Sequence, residues 1–540
     1  MGVVSVVSLA RREWSVIAHR FMMCGSLWYN GNYWRLESEI PAMKLILVMM
    51  VVVFLPAICI AASVTVSTAA ELAAAIESAN AGGADTILLQ DGLYTLDNML
   101  WVSADHVTVR SVSGNRTAVI IEGQGMTGGV SHIFNVPGSY FTARDMTLRR
   151  VANHAVQIHG NAGASNATLQ NLVFQDTFEQ MVKISYEAGN PNRSSNGLIE
   201  NCLFEYTAGI GPQYYIGGVD GHYCMNWIVR DNEFHDIQSP ESDLAEHAIH
   251  FWSDSEGTLV ERNLIINCDR GIGFGLGDRG HIGGIIRNNM IYHDSNDTNC
   301  DVAIGLENAS GVRVYNNTIW YDSSYPNAIE YRFAGSTGVM LANNLCNRAI
   351  ADRDGASGTE SANIESALSS WFVQPAIGDL HLASGIGAVV DQGIDVEGLT
   401  DDFDRDSRPF GAGMDIGADE WGATAPGMLQ ISLLLNQSSY GSGDRFRLDW
   451  EGISESGTVT ADLYILLEVL GGYWFYPSWT TALGSSSVTV SPGIPTTITV
   501  FDFTWPDIDP VGIPIRFYSA VMRTGTFELQ SNVASVEATI

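Results

Sequence analysis

Apolar and polar positions through the middle of the chain repeat in one four-residue frame. Asn171-Leu172-Val173-Phe174, Asn201-Cys202-Leu203-Phe204, Asp231-Asn232-Glu233-Phe234, Arg262-Asn263-Leu264-Ile265, Asn288-Asn289-Met290-Ile291, Asn316-Asn317-Thr318-Ile319 and Asn343-Asn344-Leu345-Cys346 all fit it, with Asp145-Met146-Thr147-Leu148 as a weaker first copy. The starts lie 26 to 31 residues apart, a period that marks a repeat architecture. Inward positions alternate, as in Val312 and Val314, then, after a one-residue shift, Asn317 and Ile319. Alternation with period two predicts strands, and no helix fits between one unit and the next. Asn232, Asn263, Asn289, Asn317 and Asn344 share the parity of the buried residue two places on. Stacked asparagines that hydrogen-bond from rung to rung would offset the cost of burying their amides. The pattern describes a right-handed parallel β-helix; an array of ordinary hairpins is the alternative.

A second strand recurs from about 151 to 355, aligned as 154–159, 180–185, 217–222, 247–252, 270–275, 302–307, 327–332 and 348–353. Its third residue is always Val or Ile (Val156, Val182, Val219, Ile249, Ile272, Ile304, Ile329, Ile350), which places the fourth and sixth outward. The fourth column reads Gln157, Lys183, Asp220, His250, Gly273, Gly305, Glu330, Ala351, and the sixth His159, Ser185, His222, Trp252, Gly275, Glu307, Arg332, Arg353. With rungs ~4.8 Å apart, these side chains are expected to line a long open groove, with Trp252 exposed in it and the glycines leaving room for a polymer.

The ends differ from the middle. Thr68-Ala69-Ala70-Glu71 is a capping-box signature followed by Leu72, Ala75, Ile76 and Ala79 at helical spacing, which predicts a helix plugging the open end of the solenoid. Asp402-Phe403-Asp404-Arg405-Asp406 could grip calcium, but it lacks the rest of an EF-hand loop and also reads as a plain turn. Asp278, Arg279 and His281 read as residues that tie a turn together. Residues 423–428 form a small-residue linker, and 429–540 alternate in places, as in Phe446-Arg447-Leu448-Asp449-Trp450, between turn signals. A separate β-sandwich is expected there, with Tyr473, Trp474, Phe475, Tyr476 and Trp479 as core or sugar-binding aromatics. The expected class is therefore all-β: capping helix, β-helix over 63–422 and β-sandwich.

Composition narrows the partners. The chain has 540 residues, 46% of them hydrophobic, and a net charge of −33, which argues against nucleic acid. Met43-Lys44, the apolar run Leu45 to Ile60 and the small residues Ala61, Ala62 and Ser63 match a secretory signal. The run is shorter than the ~20 residues of a membrane span. Export is expected, with Met43 as the start, residues 1–62 outside the mature fold and no integral span. Five cysteines follow the signal: Cys202, Cys224, Cys268, Cys300 and Cys346. Their odd number leaves at least one unpaired within a monomer, and Cys202 and Cys346 fall in inward columns, where they read as small buried hydrophobes.

The run from Asp220 through Trp227-Ile228-Val229-Arg230-Asp231-Asn232, His247 to Trp252, Asp269 to Gly277 and Tyr325 to Phe333 resembles a group of secreted bacterial right-handed parallel β-helix proteins. The stretch Asp402 to Glu420, ending Asp415-Ile416-Gly417-Ala418-Asp419-Glu420, resembles the choice-of-anchor Q segment. More distantly the fold and its cap resemble polysaccharide lyases and mannuronan epimerases. The resemblance implies a polysaccharide partner but transfers no catalytic residue.

Lysine occurs only at Lys44 and Lys183. One reading is a lyase or C5-epimerase on a uronic-acid polymer, which needs a base beside the carboxylate and a group that steadies the resulting anion. Lys183, with its pKa lowered by desolvation, is the expected base. Asp220, His222, His250 and Arg270 complete the candidate catalytic set, while His159, Trp252, Glu307, Glu330 and Arg332 are candidate substrate contacts, with calcium a possible cofactor. A second reading is an inverting hydrolase using Glu307 and Glu330, ~8 Å apart on strand geometry. In a third, non-catalytic reading, the protein binds carbohydrate or serves at a surface, Lys183, Asp220 and His250 forming a charge ladder and Arg332 pairing with Glu330 or Glu307.

Overall fold

The computed structural model describes residues 63–295, 299–423, 429–454, 458–470, 472–481, 484–505, 512–522, 530–531 and 533–539. The expected signal segment and most of the expected linker lie outside these. The chain divides into two compact units, Ala61–Thr424 and a second that includes Ala425–Ile540.

The first unit is a right-handed parallel β-helix. Each regular coil contributes two strands to a 20-stranded sheet and one to a 10-stranded sheet. The first position of the four-residue frame makes the corner between the paired strands. Asp145, Asn171, Asn201, Asp231, Arg262, Asn288, Asn316 and Asn343 all have φ between 51° and 64°. Asn and Asp tolerate this left-handed conformation better than other L-residues, so the frame's first letter is a backbone requirement. Arg262 departs from that chemistry and is held by Asp231 at 2.8 Å and Asp401 at 2.8 Å.

The second position forms the expected ladder. Asn232 Nδ2 donates to Asn263 Oδ1 at 2.9 Å, Asn263 to Asn289 at 3.0 Å, Asn289 to Asn317 at 2.9 Å and Asn317 to Asn344 at 3.0 Å. Asn344 continues it to Asn363 at 3.0 Å, a rung outside the sequence frame. The fourth position fills the interior: Phe174, Phe204 and Phe234 stack at 4.6 and 4.4 Å, followed in register by Ile265, Ile291, Ile319 and Cys346.

The capping helix spans Ala69–Asn80, buries Leu72, Ala75, Ile76 and Ala79, and carries the full capping box between Thr68 and Glu71. At the other end the chain returns along the corner column. Asn288 Nδ2 donates to Asp401 O at 2.8 Å, Asn316 Nδ2 to Asp415 O at 2.9 Å and Asn343 Nδ2 to Ile394 O at 2.8 Å. Asp402 Oδ1 accepts the amides of Asp404 and Asp406, and its Oδ2 accepts that of Glu420. The aspartate run is thus a turn in which both carboxylate oxygens of Asp402 are occupied by backbone amides.

The second unit holds antiparallel sheets of three and five strands around Phe446, Leu448, Trp450, Leu463, Ile465 and Phe517. Phe475 is buried in that unit. Cys202, Cys224, Cys268 and Cys346 are buried free thiols.

Candidate functional site

The fourth and sixth columns lie on the 10-stranded sheet in the anticipated register. Lys183 pairs with Asp220, Asp220 with His250, His250 with Gly273, Gly273 with Gly305, Gly305 with Glu330 and Glu330 with Ala351. Exposure departs from expectation. Asp220, His250 and Glu330 are buried, and Trp252 is only 8% exposed. The outward face is therefore not an open groove at these rungs. The bordering cleft, lined by His247, Arg270, Asp301, Glu307, Glu330 and Arg332, holds about 50 Å³, far below the ~300–1,000 Å³ of a small-molecule pocket.

Lys183 is the centre of the polar cluster. Its ammonium donates to Asp220 Oδ2 and lies 2.9 Å from His222 Nε2. Asp220 Oδ1 accepts from Trp252 Nε1 at 2.8 Å and lies 3.4 Å from His222 Nε2. His222 Nδ1 meets Ser253 Oγ at 3.2 Å. Trp252 also stacks on His250, with centroids 5.0 Å apart, and carries the Arg279 guanidinium 3.7 Å from its ring centre. Arg279 was legible only as a turn residue. Its cation–π contact depends on the 276–279 turn folding back over the sheet.

The electrostatics reverse the expectation for Lys183. Burial alone would lower its pKa, but the Asp220 carboxylate, aided by Tyr215 and Glu246, outweighs burial and raises it. For Asp220, burial pushes upward and Lys183, then His222, hold the carboxyl well below its ordinary value. Burial lowers His222 against the opposing pull of Asp220. The lysine is thus the lasting cation and the imidazole the neutral group.

Other anticipated residues lie apart. His159 bonds Asn135 Oδ1 and tilts against Trp101, two rungs from His222 with Ser185 between. Arg270 pairs with Asp301 at 3.3 Å. Glu307 accepts from Gly277 N at 2.6 Å and pairs with Arg332 at 3.5 Å, as one of the two expected pairings had it. Glu330 accepts from Tyr325 and Asn327 and pairs with Arg353 at 2.6 Å. Both carboxylates of the hydrolase reading are tied to arginines.

The repeat gives no signal for Glu246, and its alignment places His247 at the start of a strand. The strand begins at Ile249, so His247 lies before it, and its ring covers Gly273: a Cβ there would stand 2.6 Å from His247 Nε2. Gly273 does leave room, and the occupant is His247. Burial holds His247 well below the ordinary imidazole value. No helix among the described residues is long and apolar enough to cross a membrane.

No family model and no curated protein matches the chain. Among solved structures it is similar to pectate lyase Pel9A, at 14% identity and TM-score 0.36 over 62% of this chain and 87% of that one. It is also similar to ORF18 of Geobacillus virus E2, at 8% identity and TM-score 0.26 over 90% of this chain and 83% of that one. The sporulation control protein Spo0M from Bacillus subtilis gives 17% identity and TM-score 0.15 over 21% of this chain and 49% of that one. Likenesses this slight carry no functional argument.

Proposed function

We propose that the protein is exported and acts on a uronic-acid-containing polysaccharide as a lyase or C5-epimerase, with Lys183 as the anion-stabilising cation and His222 as the base. The observation that carries this reading is the Lys183, Asp220, His222 junction. It sets a lasting ammonium 2.9 Å from a neutral imidazole, with side chains 14% and 12% exposed. Elimination and epimerisation share their first step, removal of the proton beside the carboxylate, and both need a positive charge for the carbanion that follows. An ammonium has three donors; Asp220 and His222 engage two sites on it. Swinging Lys183 onto a substrate carboxylate releases His222 Nε2 to take the proton. Burial makes this local charge effective in a chain of net charge −33.

The test incubates the mature protein with a panel of polyuronates in heavy water. It follows both the ultraviolet absorbance of unsaturated product and deuterium at C5 of recovered polymer, so that lyase and epimerase are both seen. Lys183→Met and His222→Gln, checked for fold by circular dichroism, are each expected to lose at least ~10²-fold of activity. Absence of both signals on every polymer from a folded protein would refute the reading. The mutual satisfaction of Lys183, Asp220 and Trp252 favours a second one, a carbohydrate-binding surface without catalysis, which binding assays on the same panel would detect. Export is tested by sequencing the amino terminus of the mature protein after expression of the full chain.

A further inference from the structure

Beside the Lys183 cluster lies a group the polysaccharide reading does not use. We propose that Glu246, His247 and His250 form a binding site for a divalent transition-metal ion of the zinc type, with three protein ligands and an open remaining position.

The distances suit a shared ion better than direct bonds. Glu246 Oε2 lies 3.5 Å from His250 Nδ1 and 4.0 Å from His247 Nδ1, and one ligand atom from each residue lies within 4.8 Å of the others. Zinc binds imidazole nitrogen and carboxylate oxygen at ~2.0–2.2 Å, which puts two tetrahedral ligands ~3.4 Å apart. The observed separations need only small side-chain rotations to reach that geometry, whereas they are long for hydrogen bonds.

An independent observation points to a missing partner. Glu246 Oε2, His247 Nδ1 and His250 Nδ1 are buried with no hydrogen-bond partner, and the two histidine side chains are only 8% and 1% exposed. Three such atoms converging without a partner would be costly. His250 Nε2 donates to Gly275 O at 3.2 Å, which fixes the tautomer and leaves the Nδ1 lone pair facing Glu246, the arrangement by which a backbone carbonyl orients a metal-binding imidazole.

The surroundings permit an ion to enter. Glu246 is 22% exposed, and His247 borders the cleft with Arg270 and Asp301. The Arg270 charge opposes a cation, but Asp301 holds that guanidinium at 3.3 Å, while Asp220 is the partner of His250 on the neighbouring strand. Two imidazoles and one carboxylate select zinc, cobalt, nickel or copper over calcium and magnesium, which favour all-oxygen sites. The proposal does not depend on the polysaccharide reading.

The experiment titrates the chelator-treated full chain with cobalt(II), follows its visible absorption, and then displaces the cobalt with zinc. One equivalent bound at micromolar or tighter affinity is expected, with more than ~10-fold weakening in His247→Gln and in His250→Gln. The control is His381→Gln, which removes the histidine lying between Asp379 and Asp404 at 2.6 and 2.9 Å, and no change in affinity is expected there. Circular dichroism checks that each variant is folded. Binding that survives the double substitution His247→Gln with His250→Gln would overturn the proposal. So would preference for calcium over zinc, or the absence of binding to the folded wild-type protein at millimolar cobalt.

Discussion

Replacing Asn289 by alanine tests the ladder that sets the register of the β-helix. Asn289 Oδ1 accepts from Asn263 N at 2.9 Å and Asn263 Nδ2 at 3.0 Å, while its Nδ2 reaches Asn317 Oδ1 at 2.9 Å, Arg287 O at 3.0 Å and Val260 O at 3.1 Å. Alanine leaves the Asn263 amide without its acceptor in a fully buried place and weakens the bonding of the other partners. At ~1 kcal/mol for each net bond, with up to ~3 kcal/mol for a buried group left bare, the expected loss is about 4 kcal/mol. That is near the upper end for single substitutions. The assay is urea unfolding followed by circular dichroism, with Asn192→Ala as reference. Asn192 is exposed and its side chain donates to Asn161 O at 3.1 Å, so its loss is expected within ~0.5 kcal/mol. The second compact unit is common to all variants, so the difference reports on the β-helix. A loss below ~1 kcal/mol for Asn289→Ala would refute the reasoning and indicate that water replaces the amide.

Three further outcomes follow from the same contacts. Thr68→Ala removes the acceptor of the Glu71 amide at 3.2 Å and is expected to cost ~1 kcal/mol in denaturant unfolding; no change would show that the capping helix is held by packing alone. Asp404 above all, against the pull of burial and with help from Asp379, lifts His381 to about 9. Its contribution is therefore present below the ordinary imidazole value of ~6.5 and lost as pH rises through about 9. With the side chain a third exposed it is held to under ~1 kcal/mol, and the stability gap between wild type and His381→Gln should close above that pH; a gap independent of pH would refute it. Gly273→Ala would push a methyl into the His247 ring, so cobalt affinity should fall while the sheet register persists, and unchanged affinity would separate His247 from the metal site.

Neighbouring rungs of a β-helix are related by a fixed translation, so a column in the sequence is a column in space. That is why the Asn232 to Asn344 ladder and the pairing of Lys183 with Asp220, and of Asp220 with His250, were legible without coordinates, while the capping helix announced itself by its own capping box and helical spacing. The left-handed corners at Asn171, Asn201, Asn288, Asn316 and Asn343 were visible as a repeated letter, although their backbone meaning emerged only with φ.

Much of what the sequence could not decide lies outside the repeat. It determined the coil, its register and which residues share a face, because strand alternation and the rung period are local properties of the chain. Tertiary structure decided burial and charge. The segments before Ile249 and after Phe274 fold over the sheet, placing His247 above Gly273 and Arg279 on Trp252, and these are contacts between residues with no common period. The protonation of Lys183 had a different cause, inside the repeat: desolvation alone pointed one way, and the side-chain bond to Asp220 across one rung reversed it.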